Sequence, residues 1–68
     1  MSTGTVKWFD HVNGLGFIAP DDGSVELAVD VTALERSGLS SLGDGQRVSY
    51  RAAPGRFGRP MIENLRVG

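Results

Sequence analysis

The chain has 68 residues, a length that supports one small domain over residues 1–68 with a thin hydrophobic core. It contains no cysteine and one histidine, which excludes disulfides and argues against a metal site, so we expect no metal and no cofactor. The net charge of −1 is unevenly distributed: residues 1–45 hold two basic and seven acidic side chains, and residues 46–68 hold five basic and one acidic. Such asymmetry can mark a nucleic-acid-binding surface, but it also arises when opposite charges neutralise each other in the folded protein.

The sequence shows no sign of a membrane protein or an enzyme. Its first residues, "MSTGTV", lack the charged and apolar regions of a signal peptide, and no apolar run approaches the ~20 residues that span a bilayer. His11 lies in a turn sequence with no Ser or Cys nucleophile near it, so no active site assembles. We therefore expect a cytoplasmic, monomeric protein with no membrane partner and no catalytic activity.

Five short runs rich in Val, Ile, Phe and Leu alternate with turn sequences of Gly, Pro and Asp, a pattern that predicts five β-strands. The strands are expected at roughly 3–8, 14–19, 25–31, 46–53 and 61–67. Between the third and fourth strands, Thr32 and Glu35 have the spacing of a capping box, and Gly38 would end the short helical turn that they begin. Five strands with turn-rich connections predict an all-β barrel or sandwich.

Strict alternation of side chains predicts which residues form the core. In the first strand Val6 should face inward and Lys7 and Phe9 outward, whereas Trp8 breaks the pattern and is placed partly exposed near the strand's end. In the second strand Ile18 should face inward and Leu15 and Phe17 outward. In the third strand Val25, Leu27, Val29 and Val31 are expected on the core side, opposite Glu26, Ala28 and Asp30. The predicted core comprises Val6, Ile18, Leu27, Val29, Leu34, Val48, Tyr50 and Leu65.

The outer face of the first three strands would thus combine aromatic rings with a lysine. Phe9 and Phe17 on adjacent strands, beside Lys7, are typical of a platform on which unpaired bases stack, because every base has a π-face. The alternative is that Phe9 and Phe17 form a cross-strand pair that stabilises the sheet.

Five stretches that cover nearly the whole chain, from "GTVKWFD" and "NGLGFIAPDDG" to "APGRFGRPMIENLRVG", resemble the motifs of the bacterial cold-shock protein family. "GTVKWFD" resembles the family's G-x-V-K-W-F-N, "NGLGFIAPDDG" resembles K-G-F-G-F-I-x-P-x-D-G, and "SLGDGQRVSY" resembles x-L-x-E-G-Q-x-V-x-F. "VELAVDVTAL" stands where the family has D-V-F-V-H-x-S-A-I, and "APGRFGRPMIENLRVG" resembles G-x-x-G-P-x-A-x-N-V with about one extra residue. The resemblance implies a five-stranded antiparallel OB-fold barrel that binds single-stranded RNA or DNA, as an RNA chaperone or a regulator of transcription or translation.

The binding residues that the resemblance implies are only partly retained. Those retained are Lys7, Trp8, Phe9 and Phe17. Asn13 stands at a usual Lys and Leu15 at a usual Phe, while Ala28, Asp30 and Val31 replace a Phe, a His and a further aromatic residue. Losing three rings, at the low end of about 1–3 kcal/mol per stacked base, costs roughly 3 kcal/mol or about 100-fold in affinity. We therefore expect weak or altered binding.

The loop "GRFGRP" offers a second set of candidate contacts. Arg56 and Arg59 can pair with phosphates, and Phe57 can stack on a base, although a solvated loop with Phe57 folded onto the barrel would also account for them. The replaced positions leave a second function open. A barrel that has largely lost nucleic-acid binding could bind a protein partner around Leu15, Ala28 and Val31.

Overall fold

The described part of the computed structural model, residues 1–55, 58 and 60–67, contains five β-strands and one helix. They are β1 (Ser2–Asp10), β2 (Leu15–Pro20), β3 (Leu27–Asp30), α1 (Val31–Arg36), β4 (Arg47–Pro54) and β5 (Pro60–Val67). The strands form one antiparallel sheet in the order β3-β2-β1-β4-β5. The two edge strands, β3 and β5, also contact each other, so the sheet curls into a half-barrel. Within the described ranges, no helix is long and apolar enough to cross a membrane.

The core lies inside the curl and contains most of the residues that alternation predicts. Seven of the eight predicted residues are buried, and Leu27 is half-buried and packs against them. Three further residues complete the core: Phe9, Leu42 and Ile62. The buried tyrosine, Tyr50, has its pKa raised by burial and, to a lesser extent, by the nearby carboxylates of Asp22 and Asp21.

The prediction that Phe9 faces outward is wrong, and a β-bulge is the reason. Val6 pairs with Ile18, but Trp8 pairs with Phe17, so Lys7 is one extra residue in β1. Beyond the bulge the alternation is inverted. Phe9 is therefore only 8% exposed and belongs to the core, whereas Trp8 is 39% exposed on the outer face.

Gly16 leaves the space that the inward Phe9 ring occupies. The two residues are paired across β1 and β2. A Cβ on Gly16 would lie 2.6 Å from Cδ2 of Phe9 and 2.5 Å from the backbone oxygen of Trp8, both closer than real Cβ contacts. A glycine at position 16 is thus explained by packing of the first strand against the second.

The third strand is shorter than predicted, which corrects two residues that were expected on its core side. β3 begins at Leu27, so Val25 lies in the preceding loop and is 86% exposed. β3 ends at Asp30, so Val31 is the first residue of α1 and is 44% exposed. Neither Val25 nor Val31 contributes to the core.

The helix after β3 is capped by a different residue from the one predicted. Asp30, not Thr32, is the N-cap, and its Oδ1 accepts a hydrogen bond from the backbone N–H of Ala33 at 3.0 Å. Gly38 ends the helix as predicted, with a φ of 76°. The backbone N–H of Leu39 donates to the carbonyl of Leu34 at 2.8 Å, which completes a Schellman motif.

An exposed ion pair joins the turn after β2 to the start of β4. The guanidinium of Arg47 donates to both carboxylate oxygens of Asp21, each at 2.6 Å, and also to the Thr5 hydroxyl at 3.0 Å. The Thr3 hydroxyl donates to the same carboxylate. These bonds, first of all those from Arg47, hold the pKa of Asp21 well below its ordinary value of 3.8.

We predict that Phe9→Ala destabilises the protein more than Trp8→Ala does. Removing a buried phenyl ring leaves a cavity and typically costs about 3–5 kcal/mol, a large fraction of the stability of a small domain. Removing the exposed Trp8 forfeits mainly its edge-to-face contact with Phe17, about 1 kcal/mol. Urea denaturation of the two variants and the parent measures both costs. A Trp8→Ala cost equal to or above that of Phe9→Ala would contradict the assignment of Phe9 to the core.

We predict that acid destabilises the protein partly through Asp21. Because its pKa is lowered in the folded state, Asp21 stabilises the fold above its ordinary pKa of 3.8, and this contribution is lost as the pH falls below that value. Asp21→Asn should therefore lower stability near neutral pH and flatten its decline below about pH 4. Thermal unfolding across a pH series tests this, with Asp44→Asn in the exposed turn before β4 as the charge-matched control. A decline as steep in Asp21→Asn as in the parent would refute it.

Candidate nucleic-acid interface

An aromatic row crosses the outer face of the three strands β1 to β3. Trp8 pairs with Phe17, and Phe17 pairs with Ala28. The rings of Trp8 and Phe17 are 5.2 Å apart between centroids at 62°, an edge-to-face arrangement. Trp8 is partly exposed, Phe17 half-buried and Ala28 exposed. The cross-strand aromatic pair therefore exists, but it is formed by Trp8 and Phe17, and it leaves ring surface open to solvent.

Lys7, the basic residue predicted on this face, is engaged in an ion pair. Its Nζ lies 2.6 Å from Oε2 of Glu26, and both side chains are about half exposed. In water such a pair contributes little to stability. It does, however, place a carboxylate beside the cation that would otherwise be available to a phosphate group.

A second row, parallel to the first, places an apolar side chain between two carboxylates. Leu15, which is 40% exposed, pairs with Asp10 on β1 and with Asp30 on β3. The second row therefore has two acidic side chains, whereas the aromatic row has no charged side chain. It makes one end of the face acidic, as the sequence predicts for Asp30.

Asn13 serves the β1–β2 turn. Its Nδ2 donates to Oδ2 of Asp10 at 2.6 Å, and the backbone N–H groups of Val12 and Asn13 donate to Oδ1. These bonds lower the pKa of Asp10, and the bond from the Asn13 side chain has the largest effect. Asn13 thus stabilises an Asx turn in the structure, which is consistent with a polar, uncharged residue at this position.

Asp30 and Val31 are likewise involved in local structure. Asp30 caps α1, as described above. The backbone N–H of Val31 donates to the carbonyl of Gly14 at 3.0 Å, and its side chain packs so closely over Gly14 that a Cβ there would be 3.2 Å from Cγ1 of Val31. These two contacts join the β1–β2 turn to the start of the helix.

A cavity of about 280 Å³ lies beside the replaced positions, in the seam between β3 and β5. Its lining includes Leu15, Ala28, Asp30, Arg36, Met61 and Ile62. Sequence reasoning did not associate Arg36 or Met61 with the face. Met61 reaches it only through the curl of the sheet, which brings β5 next to β3, whereas Arg36 lies at the end of α1, which directly follows β3.

Four residues that the sequence predicts as nucleic-acid contacts remain, namely Phe9 and three residues of the loop before β5. Phe9 is buried, so in this conformation its ring does not belong to the exposed face. Arg56, Phe57 and Arg59, the candidates in the loop before β5, lie outside the described residues. Within the described ranges, no three His, Cys, Asp or Glu side chains are grouped as metal ligands would be.

The curled, five-stranded antiparallel sheet, with an aromatic pair exposed across β1 and β2, defines a domain of the OB-fold class. Residues 2–65 match the model of the "'Cold-shock' DNA-binding domain", and the chain belongs to this family. The resemblance stated from the sequence and the OB-fold prediction are therefore confirmed.

Curated relatives match along most of their length. The chain is 49% identical to the probable cold shock protein y4cH of Sinorhizobium fredii and 45% identical to the cold shock protein CspA of Rhizobium meliloti. Each match covers 98% of this chain and 99% of the relative. The cold shock-like protein CspE of Escherichia coli is 42% identical over 62 residues, which cover 91% of this chain and 88% of that protein.

Proposed function

We propose that this protein binds single-stranded RNA or DNA, with nucleobases stacking on Trp8 and Phe17. The observation that carries the proposal is the exposed Trp8–Phe17 ring pair on β1 and β2, in a chain that belongs to the cold-shock domain family. Aromatic rings at the surface of an OB-fold sheet bind unpaired bases through stacking, which requires no particular sequence. The protein would act as an RNA chaperone or as a regulator of transcription or translation.

The binding is proposed to be weak. The face has no ring at Ala28, an aliphatic side chain at Leu15, and a lysine already paired with a carboxylate. Arg56 and Arg59 would supply further phosphate contacts, and Phe57 would stack on a base. We further propose that the protein is a cytoplasmic monomer and has no catalytic activity.

A protein partner is the second candidate function. Leu15 is 40% exposed and Val31 is 44% exposed. The two residues are close to each other, because Val31 packs over Gly14, the residue that precedes Leu15. Apolar side chains grouped at a surface favour contact with another protein over contact with phosphates. In this case the aromatic row would be a stabilising pair, and nucleic acid would bind poorly or not at all.

Trp8 emission distinguishes the two functions. We predict that oligo(U) or oligo(dT) quenches the emission of this single tryptophan, because a base stacked on the indole changes its environment. The measurement is a fluorescence titration at low and at physiological salt, and Phe17→Ala should weaken the binding by about 1–3 kcal/mol. Emission that is unchanged at high micromolar oligonucleotide and low salt would refute the nucleic-acid proposal and favour the protein partner.

We predict that Glu26→Gln strengthens oligonucleotide binding by freeing Lys7. A lysine that neutralises one more phosphate should steepen the fall of log K with log salt by about 0.7. The measurement is affinity across a salt series for the parent, Glu26→Gln and the double variant Glu26→Gln/Lys7→Gln. Asp44→Asn, which removes one negative charge outside the face, is the control. An equal slope in Glu26→Gln and the parent would show that Lys7 does not contact the phosphates.

A further inference from the structure

Asp30 offers a hydrogen-bond acceptor at the edge of the stacking face. It is exposed and pairs with Leu15 across β2 and β3, so its side chain lies on the outer side of the sheet. Its Oδ1 is used by the helix cap, but Oδ2 has no partner among the hydrogen bonds of the described residues. The other carboxylate of this row differs, because both oxygens of Asp10 accept bonds from the β1–β2 turn. An ionised carboxylate accepts hydrogen bonds and donates none.

The space next to Asp30 suits a planar group stacked on Phe17. Ala28, the cross-strand neighbour of Phe17, has only a methyl side chain, so the ring is not covered from that side. Phe17 and Asp30 are diagonal neighbours on adjacent strands, a relation that separates Cα atoms by about 7–8 Å. A base lying on Phe17 and extending over Ala28 would therefore bring one edge within reach of the carboxylate. The cavity of about 280 Å³ opens at the same place and is bounded by Arg36.

The bases differ in what they present to such a carboxylate. Guanine offers two adjacent donors on its Watson–Crick edge, N1–H and the N2 amino group, which match the two oxygens of a carboxylate. Uracil and thymine have a single N3–H donor between two carbonyl acceptors, and adenine and cytosine place a ring-nitrogen acceptor beside their amino group. Bases in single strands are read through these edges.

We infer that Asp30 makes this end of the face a guanine-selective subsite, in which the base stacks on Phe17 and donates N1–H and N2–H to the carboxylate. Arg36, across the cavity, provides a positive charge for a phosphate of the same strand. The inference rests on the proposed function, since it requires that single strands bind this face. It assigns Asp30 two roles, with one oxygen holding the helix cap and the other selecting the base.

The first test compares four heptamers that differ only at the centre. Each is oligo(U) with U, A, inosine or G at position four, and binding is followed by Trp8 emission at low salt. We expect the G heptamer to bind about five-fold or more tightly than U, the lower end of bidentate base discrimination. Inosine, which keeps N1–H and lacks the amino group, should be intermediate. Adenine controls for purine stacking and should bind less tightly than G.

The second test changes the acceptor and keeps the helix cap. Asn is as good an N-cap as Asp, so Asp30→Asn retains the bond to Ala33 while a donor replaces the second acceptor. Removing the charge should strengthen binding of all four heptamers, but the ratio of G to U affinity should fall to about one or below. Asp30→Ser, also a good cap without a second acceptor, provides an independent variant should Asp30→Asn unfold. Asp44→Asn is the control and should leave the ratio unchanged.

The outcomes separate this inference from the proposed function. A G preference that is lost in Asp30→Asn or Asp30→Ser and retained in Asp44→Asn supports the subsite. Binding of all heptamers with equal affinity, or a G preference that survives both Asp30 variants, overturns the subsite and leaves the proposed function in place. Failure of every heptamer to bind overturns both.

Discussion

The extra residue in β1 determines which of two adjacent aromatic side chains belongs to the core and which to the surface. With regular pairing from Val6 onward, Trp8 would point inward and Phe9 outward. The bulge at Lys7 reverses this, and Phe9 enters a space that Gly16 leaves open on β2. A small barrel has room for a phenyl ring at this position. The same inversion places the larger indole, whose N–H needs a polar partner when buried, at the surface beside Phe17. The fold and the candidate site therefore depend on one local irregularity.

A second bulge has the same effect on β5. Between the pairs Ser49–Arg66 and Arg51–Glu63, β5 has one residue more than β4. Asn64, with a φ of 50°, lies in this interval, in a backbone conformation that Asn adopts more readily than most residues. As a result Ile62 and Leu65, three residues apart, both face the core, just as Val6 and Phe9 do on β1. Each bulge thus changes which side chain of its strand enters a core that a domain of this length can barely fill.

These two bulges mark the limit of what the sequence alone could predict. The number of strands, their approximate positions and most of the core followed from turn residues and alternation, because both are local patterns. Phe9 and Ile62 were missed because alternation cannot detect an inserted residue. Leu42 was missed because it lies outside any regular strand. On the outer face, the partial exposure of Trp8 and the outward placement of Phe17 were predicted correctly, whereas the approach of Met61 depends on the curl of the sheet and has no sequence signal.

The charge asymmetry of the sequence is partly neutralised within the fold. Asp21 from the acidic segment pairs with Arg47 from the basic one, and Lys7 pairs with Glu26 inside the acidic segment. The Asp21–Arg47 pair supports the view that opposite charges of the two segments offset each other after folding, whereas the Lys7–Glu26 pair leaves the difference between the segments unchanged. The stacking face consequently has little positive charge to offer among the described residues, and aromatic contacts would have to supply most of its affinity for a single strand. Base stacking depends less on salt than phosphate contacts do, so binding through this face should have a shallow salt dependence.

The replaced positions on the face differ in what they contribute to the fold. Asn13 holds the β1–β2 turn, Asp30 caps the helix, and Val31 packs over Gly14. Ala28, by contrast, is exposed and pairs with Phe17 without any other structural role among the described contacts. Reversing the first three changes would therefore remove contacts that stabilise the fold, whereas a ring at position 28 would only extend the aromatic row. The missing ring at Ala28 and the acceptor at Asp30 can thus be tested separately, because only the second is tied to the stability of the helix.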